Sequence, residues 1–189
     1  MSFVLRPATH ADIPAICEIY RDAVLNGTAS YEIDPPDEAE MTARFEAITG
    51  KGYPYLAADA PDGQFAGYAY ASAFRPRPAY RWLVEDSIYL SPIARGQGLG
   101  RRLLLALIER STVLGFRQMA AVIGGASPAS VAVHKGCGFE MVGTMSGTGF
   151  KQEQWLDTVF MQRALGEGTS TAPDATAYPG TLFKGQAPV

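Results

Sequence analysis

Apolar side chains recur along this chain with two periods, one near four residues and one of two, and stretches of each alternate. Phe3 to Pro7 reads as a short opening strand ended by its proline. Thr9 or His10 leads into an amphipathic helix with Ile13, Ile16, Cys17, Tyr20 and Val24 on one side. Asp12 in its first turn suits the helix dipole, and Asn26-Gly27 stops it. The stretch from Thr28 to Pro36 contains a proline pair and is predicted irregular. A second helix is predicted from Asp37 to Thr49, closed by Gly50. Strands follow at Tyr53 to Ala58 and Gln64 to Ala73, joined by the turn Ala60-Pro61-Asp62-Gly63. After the loop Arg75-Pro76-Arg77-Pro78 comes a strand from Trp82 to Leu90. A helix from Gly98 to about Leu114 has Leu99, Leu103, Leu104, Leu107 and Ile108 on one face. The remainder reads as a strand from Phe116 to Ile123, a short helix from Pro128 to Lys135, and strands at Phe139 to Thr144 and Trp155 to Arg163.

This order implies one domain over residues 1–165, a mixed α/β or α+β sheet with helices on its faces. From Gly166 the composition shifts to Gly, Thr, Ala and Pro, so 166–189 is expected to be a tail, poorly ordered or docked on a neighbouring subunit. The 189 residues are 47% hydrophobic and 19% charged, enough to bury a core. A net charge of -3 argues against a general nucleic-acid binder and gives local basic clusters more meaning. Cys17 and Cys137 form no CxxC pair and there are only two histidines, so no metal site is expected. No targeting segment and no apolar run long enough to span a membrane is visible; a soluble cytoplasmic protein is expected.

The basic cluster lies in Arg95-Gly96-Gln97-Gly98-Leu99-Gly100-Arg101-Arg102, between a strand and a helix. Glycines admit a ligand close to the backbone, and the first N–H groups of a helix are free donors, so the segment suits a phosphate. It also reads as a solvated turn. The dinucleotide pattern GxGxxG would need glycine at 101, where arginine stands, and the Walker Gly-Lys-Ser/Thr is absent. Cations in a first helical turn are disfavoured by up to about 1 kcal/mol, a penalty that a bound anion reverses.

That run closely resembles the Arg/Gln-x-x-Gly-x-Gly/Ala signature of the Gcn5-related N-acetyltransferases. The resemblance implies the acyl-CoA N-acyltransferase fold, a mostly antiparallel sheet splayed in the middle with helices on both faces. It implies acetyl-coenzyme A as co-substrate and no metal. Arg95 to Gly100 and Arg101 then hold its pyrophosphate, and Ile88, Tyr89 and Leu90 pair with its pantetheine arm.

Four further phrases are similar to the phosphinothricin and methionine-sulfoximine acetyltransferases: Thr28 to Glu32, Phe74 to Tyr80, Val84-Glu85-x-Ser87-Ile88-Tyr89 and Trp155-Leu156-Asp157. This resemblance covers roughly residues 3–165 and implies acetylation of the α-amine of a small amino-acid analogue by direct attack in a ternary complex. Its acceptor and a base are then assignable. An ammonium must lose a proton before attack, and Glu85, on one strand face with Ser87 and Tyr89 while Asp86 points the other way, matches the family's proposed base. A free glutamate titrates near 4.3, so burial must raise it. His134 matches a group that protonates the departing thiolate or orients the amine; it also reads as a packed structural histidine. Arg75 and Arg77, on a proline-stiffened loop, suit carboxylate or phosphinate oxygens, though they also read as surface arginines. Tyr31, Glu32 and Tyr80 are expected to line the acceptor side.

Ser127 and Ser130 fall at coenzyme positions, although Ser127 stands where the family commonly has asparagine. Cys137 replaces a usual leucine. Trp155 reads as core or dimer contact, and the resemblance suggests a homodimer. Two other readings stay open from the sequence: a protein or peptide N-acetyltransferase of the same fold, and a non-catalytic acyl-coenzyme A sensor.

Overall fold

In a computed structural model describing residues 2–183, the predicted elements form around one seven-stranded sheet. In chain order they are β1 (Val4–Pro7), α1 (Ile13–Asn26), α2 (Glu38–Thr49), β2 (Tyr55–Asp59), β3 (Phe65–Ala73) and β4 (Leu83–Leu90). Then come α3 (Leu99–Val113), β5 (Gln118–Gly124), α4 (Pro128–Gly136), β6 (Glu140–Lys151) and β7 (Gln154–Ala164). The strand order is β1-β2-β3-β4-β5-β7-β6, with every neighbouring pair antiparallel except β4 and β5. Parallel neighbours need a crossover, and α3 supplies it.

Two buried clusters lie against the sheet. The leucine stripe of α3 seats Leu99, Leu103, Leu104 and Leu107, each fully buried and worth about 2 kcal/mol, against β2–β5. The second mixes aliphatic and aromatic side chains: Ile13, Ile16 and Tyr20 of α1 and Phe45 of α2 pack with Tyr55 and Tyr68 of the sheet. Helix starts follow local chemistry. Asp37 caps α2 by accepting the Glu40 N–H at 2.8 Å. Asp12, before α1, accepts from the Thr9 N–H at 2.7 Å and from Arg6 at 2.8 Å, which holds its carboxyl below the ordinary value.

β6 runs to Lys151, well past the predicted end at Thr144. Gly147 and Gly149 obscure the strand in the sequence; Gly147 sits at φ 61° where the β6–β7 register shifts. A Cβ on Gly149 would lie 2.7 Å from the Tyr31 ring, so glycine lets the 28–36 segment lie against the hairpin. Trp155, expected as core or dimer contact, is 70% exposed and so is not core; its ring touches Phe150, itself exposed.

The tail runs back over its own domain as far as Phe183. Arg117 donates to Gly168 O at 3.3 Å and to Thr171 Oγ1 at 3.1 Å. Tyr178 packs edge-on against Phe116 with ring centroids 5.7 Å apart. The part of the tail expectation that concerns 184–189 lies outside the described residues. No helix among the described residues is long and apolar enough to cross a membrane.

Candidate active site

Pairing between β4 and β5 runs only from Leu83↔Gln118 to Glu85↔Ala120. Beyond it β4 stays paired to β3 as far as Leu90, and β5 to β7 as far as Gly124, so the two strands part. Their facing edges carry backbone donors and acceptors that no ladder uses. The gap opens into a cleft of about 750 Å³. Ile88, Tyr89 and Leu90 line one wall and Ala121 to Gly124 the other.

The start of α3 forms one end. Gly96 and Gly98 hold φ of 75° and 78°, a left-handed backbone that glycine adopts without penalty. The first bond of the helix is Arg102 N–H to Gly98 O at 3.2 Å, so the N–H groups of Leu99, Gly100 and Arg101 precede the ladder. Arg95, Gly96, Gly98, Leu99, Gly100 and Arg101 line the cleft. Gln97 does not; its side chain donates to Ile93 O at 2.5 Å. Arg95 also pairs with Asp22 at 2.6 Å, while Arg102 turns away to Phe3 O at 2.9 Å. This end presents free amides, a helix dipole and cationic side chains, which is the chemistry of a phosphate site.

α4 closes the adjacent wall with Ser127, Ser130 and His134. Ser127 caps the helix by accepting the Ser130 N–H at 3.4 Å. His134 is buried. Its Nδ1 lies 2.7 Å from Ser130 O, and since a carbonyl only accepts, Nδ1 carries hydrogen. Its Nε2 lies 3.0 Å from Asp86 Oδ2. Burial pushes the imidazole down, but the hydrogen bond and charge of Asp86, with the Ser130 carbonyl, raise it overall. The other oxygen of Asp86, Oδ1, is buried and has no protein partner.

Glu85 stands where the two strands part. Burial, then the neighbouring Asp86 carboxylate, push its carboxyl from the ordinary 4.5 up to about 7, against the pull of Arg75. A carboxylate tuned to that range is a competent proton acceptor near neutrality.

Residues 5–160 match the family model of the acetyltransferase (GNAT) domain. The chain belongs to the GNAT acetyltransferase family. The acetyltransferase is 48% identical over 164 residues to the phosphinothricin N-acetyltransferase of Alcaligenes faecalis, covering 86% of this chain and 83% of that one. It is 42% identical over 173 residues to an L-methionine sulfoximine/L-methionine sulfone acetyltransferase of Pseudomonas aeruginosa, covering 92% of this chain and all of that one. Among solved structures, a GNAT superfamily phosphinothricin acetyltransferase from Sinorhizobium meliloti in complex with AcCoA superposes with a TM-score of 0.95. Identity to it is 62%, over 96% of this chain and 98% of that one.

In the acetyltransferase the cleft gathers most of the residues singled out in the sequence, but not all. Tyr31 lines it with its ring, while its hydroxyl is engaged by the protein: it donates toward Asp157 O at 2.9 Å, lies 2.9 Å from Thr158 Oγ1, and accepts the Gly125 N–H at 3.2 Å. Glu32 lies outside the cleft, accepting from Arg44 at 2.7 Å and Tyr20 at 3.1 Å. Arg75, Arg77 and Tyr80 are exposed on their loop and do not line it either. Arg75 stacks over the Phe74 ring at 4.4 Å, yet its charge is felt by Glu85.

Asp86 is the residue that sequence reasoning passed over. The signal was present: strand alternation turns it away from Glu85 onto the face covered by α3 and α4, where a carboxylate needs a partner. Tyr70 and Ser87, opposite each other in the β3–β4 ladder, also line the cleft; strand alternation already places Ser87 on the face of Glu85, while nothing in the sequence marks Tyr70. Among the described residues no group of three or more His, Cys, Asp and Glu side chains is arranged to hold a metal.

Proposed function

We propose that this acetyltransferase transfers the acetyl group of acetyl-coenzyme A to the α-amine of a small amino-acid analogue of the phosphinothricin, methionine sulfoximine or methionine sulfone type. The likeness to phosphinothricin and methionine sulfoximine acetyltransferases supports the acceptor class, and Glu85, a half-buried carboxyl raised to about 7 at the point where β4 and β5 part, supports the chemistry. Acetyl-coenzyme A supplies the acetyl group activated as a thioester. The amides of Leu99, Gly100 and Arg101, with the Arg95 and Arg101 side chains, hold its phosphates; Gly96 and Gly98 give the turn its shape and Gln97 braces it. The unpaired edge of β4 at Ile88, Tyr89 and Leu90 receives its amide arm, and Ser127 and Ser130 lie alongside.

Glu85 takes a proton from the acceptor's ammonium and leaves a nucleophilic amine; as the new C–N bond forms and the thioester C–S bond breaks, the departing thiolate takes up the proton that the attacking nitrogen releases. Arg75 and Arg77 offer guanidinium forks to the acceptor's acidic groups, with Tyr80 on the same loop, while the Tyr31 ring lines the cleft from the β5–β7 side and Glu32 holds the Arg44–Tyr20 corner. His134 faces Asp86 and Ser130 with its two nitrogens, which favours a role in fixing the inner wall of the cleft over proton donation. Neither cysteine lines the cleft, in keeping with direct attack and no acetyl-enzyme.

The exposed apolar side chains of Met141, Val142, Met145, Phe150 and Trp155 on β6 and β7 favour a homodimer in which a second copy covers them. Two unpaired cysteines accord with a cytoplasmic setting.

The test is thiol release from acetyl-coenzyme A with a panel of amines. Turnover of methionine sulfone, methionine sulfoximine or phosphinothricin, above simple amines and peptides, is expected. Silence on all three overturns the reading.

A further inference from the structure

The loop that carries Arg75, Arg77 and Tyr80 is held mostly by itself. Arg75 donates to Phe74 O at 2.9 Å, Tyr80 N–H bonds Arg77 O at 3.0 Å, Arg81 N–H bonds Pro78 O at 3.2 Å, and the Tyr80 ring leans on Phe74. Such local bonds shape a loop but do not fix it to the domain. The tie to the rest of the molecule comes at its exit. Arg81 Nη1 donates to Gly180 O at 2.8 Å, across 99 positions of chain. The next residue, Trp82, accepts at its carbonyl from the Arg117 and Gln118 N–H groups at 2.9 and 3.1 Å. The side chain of that same Arg117 grips the beginning of the tail at Gly168 and Thr171.

The tail between those grips is packed. Tyr178 lies against Gly52, Gly115 and Phe116, where a Cβ on Gly115 would come within 3.1 Å of the Tyr178 carbonyl. Leu182 packs on the main core. Arg81 Nε is buried with no partner, so the guanidinium depends on the Gly180 carbonyl for its protein hydrogen bond.

We propose that Arg81 is a positioning residue for the acceptor loop, anchored on the Gly180 carbonyl, so that the strap formed by residues 166–183 sets how tightly the acceptor is held. This rests on the reading of the Phe74 to Arg81 loop as the acceptor loop. No residue of the strap lines the cleft; it acts by limiting the positions from which Arg75, Arg77 and Tyr80 start, and Glu85 follows four residues after Arg81.

Two substitutions in the full-length chain break the link from opposite ends. Gly180→Ala leaves Arg81 intact, but its Cβ would clash with the backbone of Asp174 and Ala175, so the strap must shift around the Gly180 carbonyl. Arg81→Met removes the donor, and Arg81→Lys keeps a donor as the conservative control. Steady-state kinetics should show the acceptor KM rising about 5-fold or more in Gly180→Ala and Arg81→Met, the coenzyme KM changing less than about 2-fold, and Arg81→Lys recovering much of the loss. Hydrogen exchange of the amides between 77 and 82 should quicken in both disruptive variants.

An unchanged acceptor KM, or equal rises in both KM values, overturns the proposal. If the wild-type enzyme turns over no amino-acid analogue, the functional reading fails, and the exchange measurement alone then decides whether the strap holds the loop. Unchanged exchange sinks the proposal whatever the activity.

Discussion

His134 Nε2 lies 3.0 Å from Asp86 Oδ2, and both side chains are buried, so one bond ties α4 to the parting strand β4. The same Asp86 is the like-charged neighbour that helps raise Glu85. Asp86→Asn removes one negative charge from both. His134 should then titrate at lower pH, because its stabilising carboxylate is gone. The acid limb of kcat/KM should also move to lower pH, since Glu85 faces less repulsion while Arg75 still favours its ionised form. Ring NMR of His134 and a pH–rate profile check the two shifts, and a profile that stays in place contradicts the coupling.

Glu85 is held at a cost in stability. Its carboxyl is raised from 4.5 to about 7 in the fold, so the protonated form is favoured there. Stability from this group is whole below about pH 4.5 and is lost as pH rises through 7. The full difference corresponds to about 3 kcal/mol, and discounting for partial solvent exposure leaves about 1–2. Glu85→Gln should therefore raise Tm at pH 8 by roughly 2–8 °C and leave it nearly unchanged at pH 4. Calorimetry at the two pH values is the check; equal effects at both would mean that the carboxyl is not strained.

At the start of α3, Gly98→Asp puts a side chain into the open space at the turn and a negative charge at the phosphate end. Coenzyme affinity should fall at least about 10-fold by titration calorimetry. Wild-type affinity would remove the turn from the coenzyme site.

Arg75→Ala should raise the acceptor KM more than the coenzyme KM. It should also move the acid limb of kcat/KM to higher pH, because Arg75 pulls Glu85 down. The limb moves opposite to that of Asp86→Asn, so the pair of variants brackets Glu85 electrostatically.

What the sequence disclosed is what is written locally. The leucine face of α3 and the Gly96–Gly98 turn need only neighbours a few residues away, and both were legible. The parting of β4 and β5 was expected only through the family resemblance, because strand order depends on which distant segments pair, and β7 inserts between β5 and β6. The Asp86–His134 bond spans 48 positions, and Tyr31 meets Thr158 across 127, so neither partner advertises the other. Gly147 and Gly149 fall beyond the predicted strand end at Thr144 although they lie within β6. Arg75, Arg77 and Tyr80 are expected at the acceptor from guanidinium chemistry and the proline-stiffened loop, and they sit on that loop at the surface without lining the cleft; side-chain chemistry says nothing of how far a loop reaches.

The most direct measurement compares Glu85→Gln with the wild-type enzyme in acetyl transfer to methionine sulfone or phosphinothricin, with coenzyme binding followed in parallel. Turnover should drop about 100-fold or more while coenzyme affinity stays within about 2-fold. A variant that turns over at the wild-type rate would contradict the assignment of Glu85 as the base.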